Sequence, residues 1–192
     1  MSKINNILLT GVGGQGILLA SEVLSEVIML AGYDVKKNEI HGMSQRGGSV
    51  VSHVRYGEKV YSPIIPEGEV DILFSFEMLE TLRYLPLLRE NGRVIVNNLK
   101  IAPPAVALGK QAYPDNLGED IRARFPLTTV VNGLDLALEA GNAKTVNTVL
   151  LGALSTMLEF KRSTWLEALN KMVPARLLDV NLKAFELGCN AK

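Results

Sequence analysis

The sequence has a single cysteine, Cys189, only two histidines, His41 and His53, and no surplus of either charge, with twenty basic against twenty acidic side chains in 192 residues. One thiol excludes an internal disulfide and the several thiolates that an iron–sulfur cluster needs. Two histidines with no cysteine or carboxylate at ligand spacing beside them offer no metal site. Balanced charge removes the global electrostatic footprint of a nucleic-acid or anionic-membrane binder. Long apolar runs are also missing: Ile17 to Leu30 and Thr145 to Leu158 are interrupted by Ser, Glu, Thr or Asn before reaching the roughly 20 residues of a membrane span. The opening residues, Met1 to Asn6, lack the three regions of a secretory signal. A cytoplasmic protein with protein or small-molecule partners is therefore expected.

What is present is apolar and rhythmic. With 47% hydrophobic residues the chain can bury a core as one domain spanning 1–192. Ile7 to Thr10 reads as a strand, followed by a glycine turn and a helix from about Gln15 to Ala31, with apolar residues at helical spacing. Asp34 to Ile40 reads as a second strand. Ser49 to Tyr56 alternates, with Val50, Val54 and Tyr56 on one face and Val51, His53 and Arg55 on the other. A turn at Gly57-Glu58 then suggests a β-hairpin returning through Lys59 to Ser62.

Val70 to Phe76 is a buried-strand candidate, Met78 to Leu88 a helix, Arg93 to Asn97 and Leu127 to Val131 further strands. Residues 98–116 carry three prolines and read as an irregular excursion. The chain is helical from Leu134, with segments near 145–158, 163–172 and 177–187, Ser163 as an N-cap and Gly188 as a C-cap. Strands alternating with helices imply a three-layer α/β/α fold: a Rossmann-like mixed, mostly parallel sheet with an inserted β-hairpin and a helical C-terminus.

Two segments carry chemistry. Gly11-Val12-Gly13-Gly14-Gln15-Gly16 fits G-x-G-x-x-G between a strand and a helix, where backbone N–H groups and the helix dipole hold anions. The same pattern also serves as a tight turn that binds nothing. A nicotinamide dinucleotide would want an acidic residue at the end of the second strand. Asp34 comes too early in that strand, and Glu39 leads into an unsuitable loop, which disfavours that ligand without removing it. The loop His41-Gly42-Met43-Ser44-Gln45-Arg46-Gly47-Gly48-Ser49 gathers hydrogen-bonding groups and one fixed cation around three glycines. As a plain exposed connector it would leave Arg46 solvated. Ser44 has no acid–base partner for nucleophilic work, and Cys189 reads as a packing residue. Asn147, on an otherwise apolar helix, can cap, bridge the core or face a ligand.

The segments Ile7 to Gly16 and Glu39 to Val50, with Asp71-Ile72-Leu73-Phe74-Ser75-Phe76-Glu77 and Asn147 to Ala153, resemble the gamma-type domain of 2-oxoacid:ferredoxin oxidoreductases, in order along nearly the whole chain. The Ser-Gln-Arg-Gly-Gly element after Glu-Ile-His-Gly-Met is similar to the beta subunit of the indolepyruvate type more than to the pyruvate type. The resemblance implies oxidative decarboxylation of an aryl pyruvate, with coenzyme A taking the acyl group and ferredoxin taking the electrons. It also implies that thiamine diphosphate and [4Fe-4S] clusters sit on a larger alpha subunit, leaving this chain inactive alone.

By family position, Gly11, Gly13, Gly14 and Gly16 form an anion-accommodating turn, and Gln15, Arg46, Gly48 and Asn147 are the further residues expected to bind a cofactor. His41, Ser44, Gln45, Arg46 and Gly47 form a loop facing the partner active site, with Arg46 as its phosphate or carboxylate contact. A free-standing Rossmann-like NAD(P)-binding oxidoreductase is the competing reading. A non-catalytic interaction module of another complex is a third.

Overall fold

A computed structural model describes residues 4–41 and 47–191, the side chain of His41 excepted. The strands are β1 (Asn5–Val12), β2 (Asp34–His41), β3 (Ser49–Gly57), β4 (Val70–Ser75), β5 (Leu88–Asn97) and β6 (Thr128–Val131). The helices are α1 (Ile17–Leu30), α2 (Met78–Tyr84), α3 (Pro104–Ala107), α4 (Leu117–Arg124), α5 (Gly133–Ala140), α6 (Val146–Ser155), α7 (Arg162–Met172) and α8 (Leu178–Cys189). The strands form one sheet in the order β2-β3-β1-β4-β5-β6. β1, β4, β5 and β6 pair in parallel, while β3 runs antiparallel to both β1 and β2.

Alternate residues of the central strands feed two cores. Ile7, Leu9, Val54, Phe74 and Ile95 pack against α1, α6, α7 and α8 on one face. Leu8, Val51, Leu73, Val94 and Val96 meet Met78 of α2 and Leu117 and Ile121 of α4 on the other. This is the anticipated three-layer mixed sheet with a helical C-terminus.

The hairpin lies elsewhere than the sequence suggests. β2 and β3 form it, running from Asp34 opposite Gly57 to His41 opposite Val50, so the 42–48 segment is its connection. Residues 59–62 are not a strand. Pro63 and Pro66 remove ladder donors there, and side chains satisfy the backbone instead. Asp34 Oδ2 accepts from Val60 N–H at 2.9 Å, and Arg55 Nη1 donates to Ser62 O at 3.0 Å and Ile64 O at 2.8 Å. His53 Nδ1 accepts from Ile65 N–H at 3.3 Å. These anchors explain why the polar face of β3 is as buried as its apolar face.

Four further expectations shift. α2 stops at Tyr84 and gives way to one 3-10 turn containing Pro86, which cannot donate to a continuing helix. α4 arises inside the tract following the irregular excursion, with Glu119 and Asp120 in its first turn and Arg122 and Arg124 in its last, complementing its dipole. Ser163 is not a cap, since Lys161 precedes α7 without a side-chain bond. Gly188 does not terminate α8 but lies within it, where α8 crosses α6. A β-carbon on Gly188 would collide with Val149 O, and one on Gly152 with Phe185 O. Thr148 Oγ1 donates to Asn181 Oδ1 at 2.6 Å across the same crossing.

Candidate functional site

Connections from β1 lead by way of α1 to the β3–β2 side of the sheet, whereas β4, β5 and β6 follow one another outward on the other side. The chain therefore reverses direction between β1 and β4, and open α/β sheets leave a crevice beyond the carboxyl ends of the strands at such a point. A cavity of about 640 Å³ lies there, lined by the glycine turn, Phe76, Asn97, Asn98, Asn132, Asp135, Lys144 and Asn147 among others.

The turn is fixed by its own sequence. Gly14 and Gly16 have φ of 102° and 79°, a region costly for any residue with a β-carbon. Gly11 is needed for a different reason: a β-carbon there would lie 2.5 Å from Gln15 Oε1 and 2.8 Å from Phe76 Cβ. Gly13 N–H donates to Gly48 O at 2.9 Å, so this donor is spent on the loop stem. Gln15 closes the turn with both ends of its amide. Its Oε1 accepts from Val12 N–H at 2.6 Å and its Nε2 donates to Phe76 O at 3.0 Å. Asn97 Nδ2 shares Phe76 O at 3.3 Å, and Asn97 Oδ1 accepts from Gly133 N–H at 3.1 Å. The ends of β1, β4 and β5 and the start of α5 are thus joined by two amide side chains.

The groups left over face the crevice. α1 begins at Gly16 with no side-chain cap, and the first N–H groups of a helix have no intrahelical acceptor. α5 and α6 also begin at this wall, through Asn132, Leu134, Asp135, Val146 and Asn147. Asn147 is 6% exposed, and its Oδ1 accepts from Thr148 N–H at 3.0 Å. Its Nδ2 stands beside Gly16 on the cavity wall, with no acceptor among the described residues. Three helix N-termini, an open amide donor and the Lys144 cation, against the single carboxylate of Asp135, suit an anionic group.

Of the residues expected at the site, the structure brings together Gly11, Gly13, Gly14, Gln15, Gly16, Gly48 and Asn147. Gln15 is consumed by backbone contacts, and Gly13 lends its N–H to Gly48. Gly47, with φ of 77°, stands on the loop side. Ser44, Gln45, Arg46 and the side chain of His41 lie outside the described residues. Sequence reasoning missed Asn97, Asn98, Asn132, Asp135 and Lys144. Each asparagine follows or ends a predicted parallel strand, the place where such sheets carry ligands, and that was the available signal.

The sheet order does not suit an NAD-type ribose contact. β3 is interposed between β1 and β2, which puts the end of β2 two strand spacings, roughly 9.5 Å, from β1. Glu39 is engaged by Lys37 Nζ at 2.9 Å and by Ser21 Oγ at 3.2 Å. Among the described residues no group of three His, Cys, Asp or Glu side chains could hold a metal ion, and no helix is long and apolar enough to cross a membrane. Cys189 ends α8 with Sγ 3.3 Å from Ser155 Oγ, and burial pushes its thiol pKa up, which suits packing rather than nucleophilic attack.

Comparison with known proteins decides the family. The model of the family described as pyruvate ferredoxin/flavodoxin oxidoreductase matches residues 6–191. The chain belongs to the pyruvate ferredoxin/flavodoxin oxidoreductase family. Among curated members, the indolepyruvate oxidoreductase subunit IorB of Thermococcus kodakarensis is 44% identical, covering 98% of this chain and 96% of that protein. The subunit of the same name from Pyrococcus horikoshii is 42% identical over the same shares. The solved keto/oxoacid ferredoxin oxidoreductase gamma subunit of Geobacter sulfurreducens covers 97% of each chain at 25% identity with a TM-score of 0.71. The resemblance read from the segments Ile7–Gly16, Glu39–Val50, Asp71–Glu77 and Asn147–Ala153 is borne out, as is the mixed, mostly parallel α/β fold.

Proposed function

We propose that this chain is the small subunit of an indolepyruvate:ferredoxin oxidoreductase that works in the cytoplasm with a larger alpha subunit and is inactive alone. The observation that carries this reading is the 44% identity, over nearly the full length of both chains, to a subunit bearing the indolepyruvate name. The reaction converts an aryl pyruvate, coenzyme A and oxidised ferredoxin into arylacetyl-CoA, carbon dioxide, a proton and reduced ferredoxin. Thiamine diphosphate supplies the electron sink for decarboxylation, and iron–sulfur clusters supply the route to ferredoxin. One cysteine in this chain does not suit a cluster, and its sequence carries no recognisable thiamine diphosphate signature, so the reading assigns both groups to the alpha subunit.

The part left to this chain is to complete the coenzyme A side of the site. In this reading the uncapped start of α1, Asn147 Nδ2 and Lys144 receive a phosphate of coenzyme A in the crevice. Gly48 is held against the glycine turn by the bond from Gly13 N–H, and the reading assigns Arg46, in the segment before it, a phosphate or carboxylate contact toward the alpha subunit.

The test is anaerobic co-purification from the native host followed by viologen reduction with indolepyruvate and coenzyme A, then with other 2-oxoacids. Dye reduction that requires both chains and is greatest with aryl pyruvates supports the reading. A chain that emerges alone and binds NAD(P) tightly overturns it.

A further inference from the structure

Glu80 is an acidic side chain buried without an evident local reason. It is 5% exposed, on the short helix α2, three residues beyond the N-cap Glu77. An acid at that position commonly reaches back to the N-cap N–H to close a capping box. Half of such an arrangement is present, since Glu77 Oε2 accepts from Glu80 N–H at 2.8 Å. The Glu80 carboxylate does not reciprocate. It turns instead toward β3, where Oε2 accepts from Ser49 Oγ at 2.5 Å. Its other oxygen is 3.5 Å from Nη2 of the largely exposed Arg83, and Tyr84 Oη lies 3.4 Å from Ser49 Oγ. Burying a carboxylate is costly unless its hydrogen bonds are made, and the close partner here is Ser49.

Ser49 sits at a junction. It is the first residue of β3, it pairs with Val12 at the end of β1, and it directly follows Gly48, whose carbonyl accepts from Gly13 N–H. The stem of the loop is therefore gripped from two sides, by the glycine turn through Gly48 and by α2 through Ser49. Glu77 extends the grip outward: its Oε1 accepts from Ile101 N–H at 2.9 Å and Tyr113 Oη at 2.7 Å, tying α2 to the 98–116 excursion. α2 is thereby held from beneath while its next acid holds the loop stem.

We propose that Glu80 is a positioning residue: through Ser49 it fixes Gly48 and the start of β3 against the glycine turn, so that the turn is presented to coenzyme A in one arrangement. This rests on the assignment of the crevice to coenzyme A made above.

The test is steady-state kinetics of the reconstituted two-subunit complex carrying Glu80→Ala, Ser49→Ala, both together, or Glu80→Gln. Loss of a hydrogen bond to a charged acceptor corresponds to about a tenfold rise in KM for coenzyme A in each alanine variant, with kcat within about twofold of wild type. Because the two residues act through one contact, the double variant is no worse than either single one. Glu80→Gln, which keeps an oxygen acceptor for Ser49, recovers most of the loss. A purely structural defect lowers the active fraction, and hence kcat, and leaves KM alone. Ser49→Ala removes only a hydroxyl, so it carries the test even if Glu80→Ala does not assemble. Unchanged KM in Ser49→Ala, or losses that multiply in the double variant, overturn the proposal. A wild-type complex with no coenzyme A-dependent turnover would instead remove the functional reading beneath it.

Discussion

The side-chain nitrogen of Asn147, at the start of α6, stands so near Gly16, at the start of α1, that a β-carbon at position 16 would lie 3.0 Å from it. Asn147→Asp tests what that nitrogen is for. The substitution keeps an oxygen for Thr148 N–H and replaces the open donor with an anion. KM for coenzyme A in the complex is expected to rise tenfold or more, on the order of one lost charge-assisted contact plus repulsion. Equal KM for coenzyme A in the variant would remove Asn147 from the site.

Gly16→Ala combines an unfavourable φ of 79° with crowding of that amide. A left-handed conformation costs a residue with a β-carbon about 1–2 kcal/mol. A fall in stability of at least that size is expected in urea denaturation, accompanied by weaker coenzyme A binding.

Gln15→Leu keeps the bulk and removes both amide contacts. Val12 N–H loses its acceptor, and an orphaned buried donor costs about 1–3 kcal/mol. The denaturation midpoint should fall accordingly. Gln15→Glu should also be destabilising, because it can still accept from Val12 but presents a carboxylate oxygen to the carbonyl of Phe76.

Stability should also depend on pH through His53. Burial lowers its pKa from the ordinary 6.5, and the neighbouring Arg55 cation lowers it further. The folded state therefore prefers the neutral ring, whose Nδ1 accepts from Ile65 N–H. Below pH 6.5 the unfolded chain takes up the proton first, so stability falls with pH until the folded-state pKa is passed. His53→Gln should flatten that slope in denaturation curves collected between neutral and mildly acidic pH.

The glycine turn was legible because its determinants are local: an apolar strand, then glycines at fixed spacing, then a helix. Gln15 was legible as a member of the turn but not as its closure, since its partner Phe76 is 61 residues away and contributes only a carbonyl. Gly188 misled for the same reason. A glycine near the end of a helix looks like a terminator, and only the α6–α8 crossing shows that the space is taken by the backbone of Val149. The hairpin was placed one strand too late because β3 alternates like a strand with one wet face. Its polar side is in fact covered by the 58–68 tract through Arg55 and His53. α4 escaped notice since only Leu117 and Ile121 supply its buried face, too few to make a period.

The insertion of β3 between β1 and β2 also sets an order of construction. As the chain leaves the ribosome, β1 can be flanked by β3 once residue 57 is out, which closes the Gly13–Gly48 bond while β4, Asn97 and α6 are still unmade. The floor of the crevice is thus laid early and its Asn147 wall arrives with the last third of the chain. Until β4 pairs with it, the parallel edge of β1 stands open to foreign strands, so a nascent chain paused between β3 and β4 should be the form most in need of a chaperone.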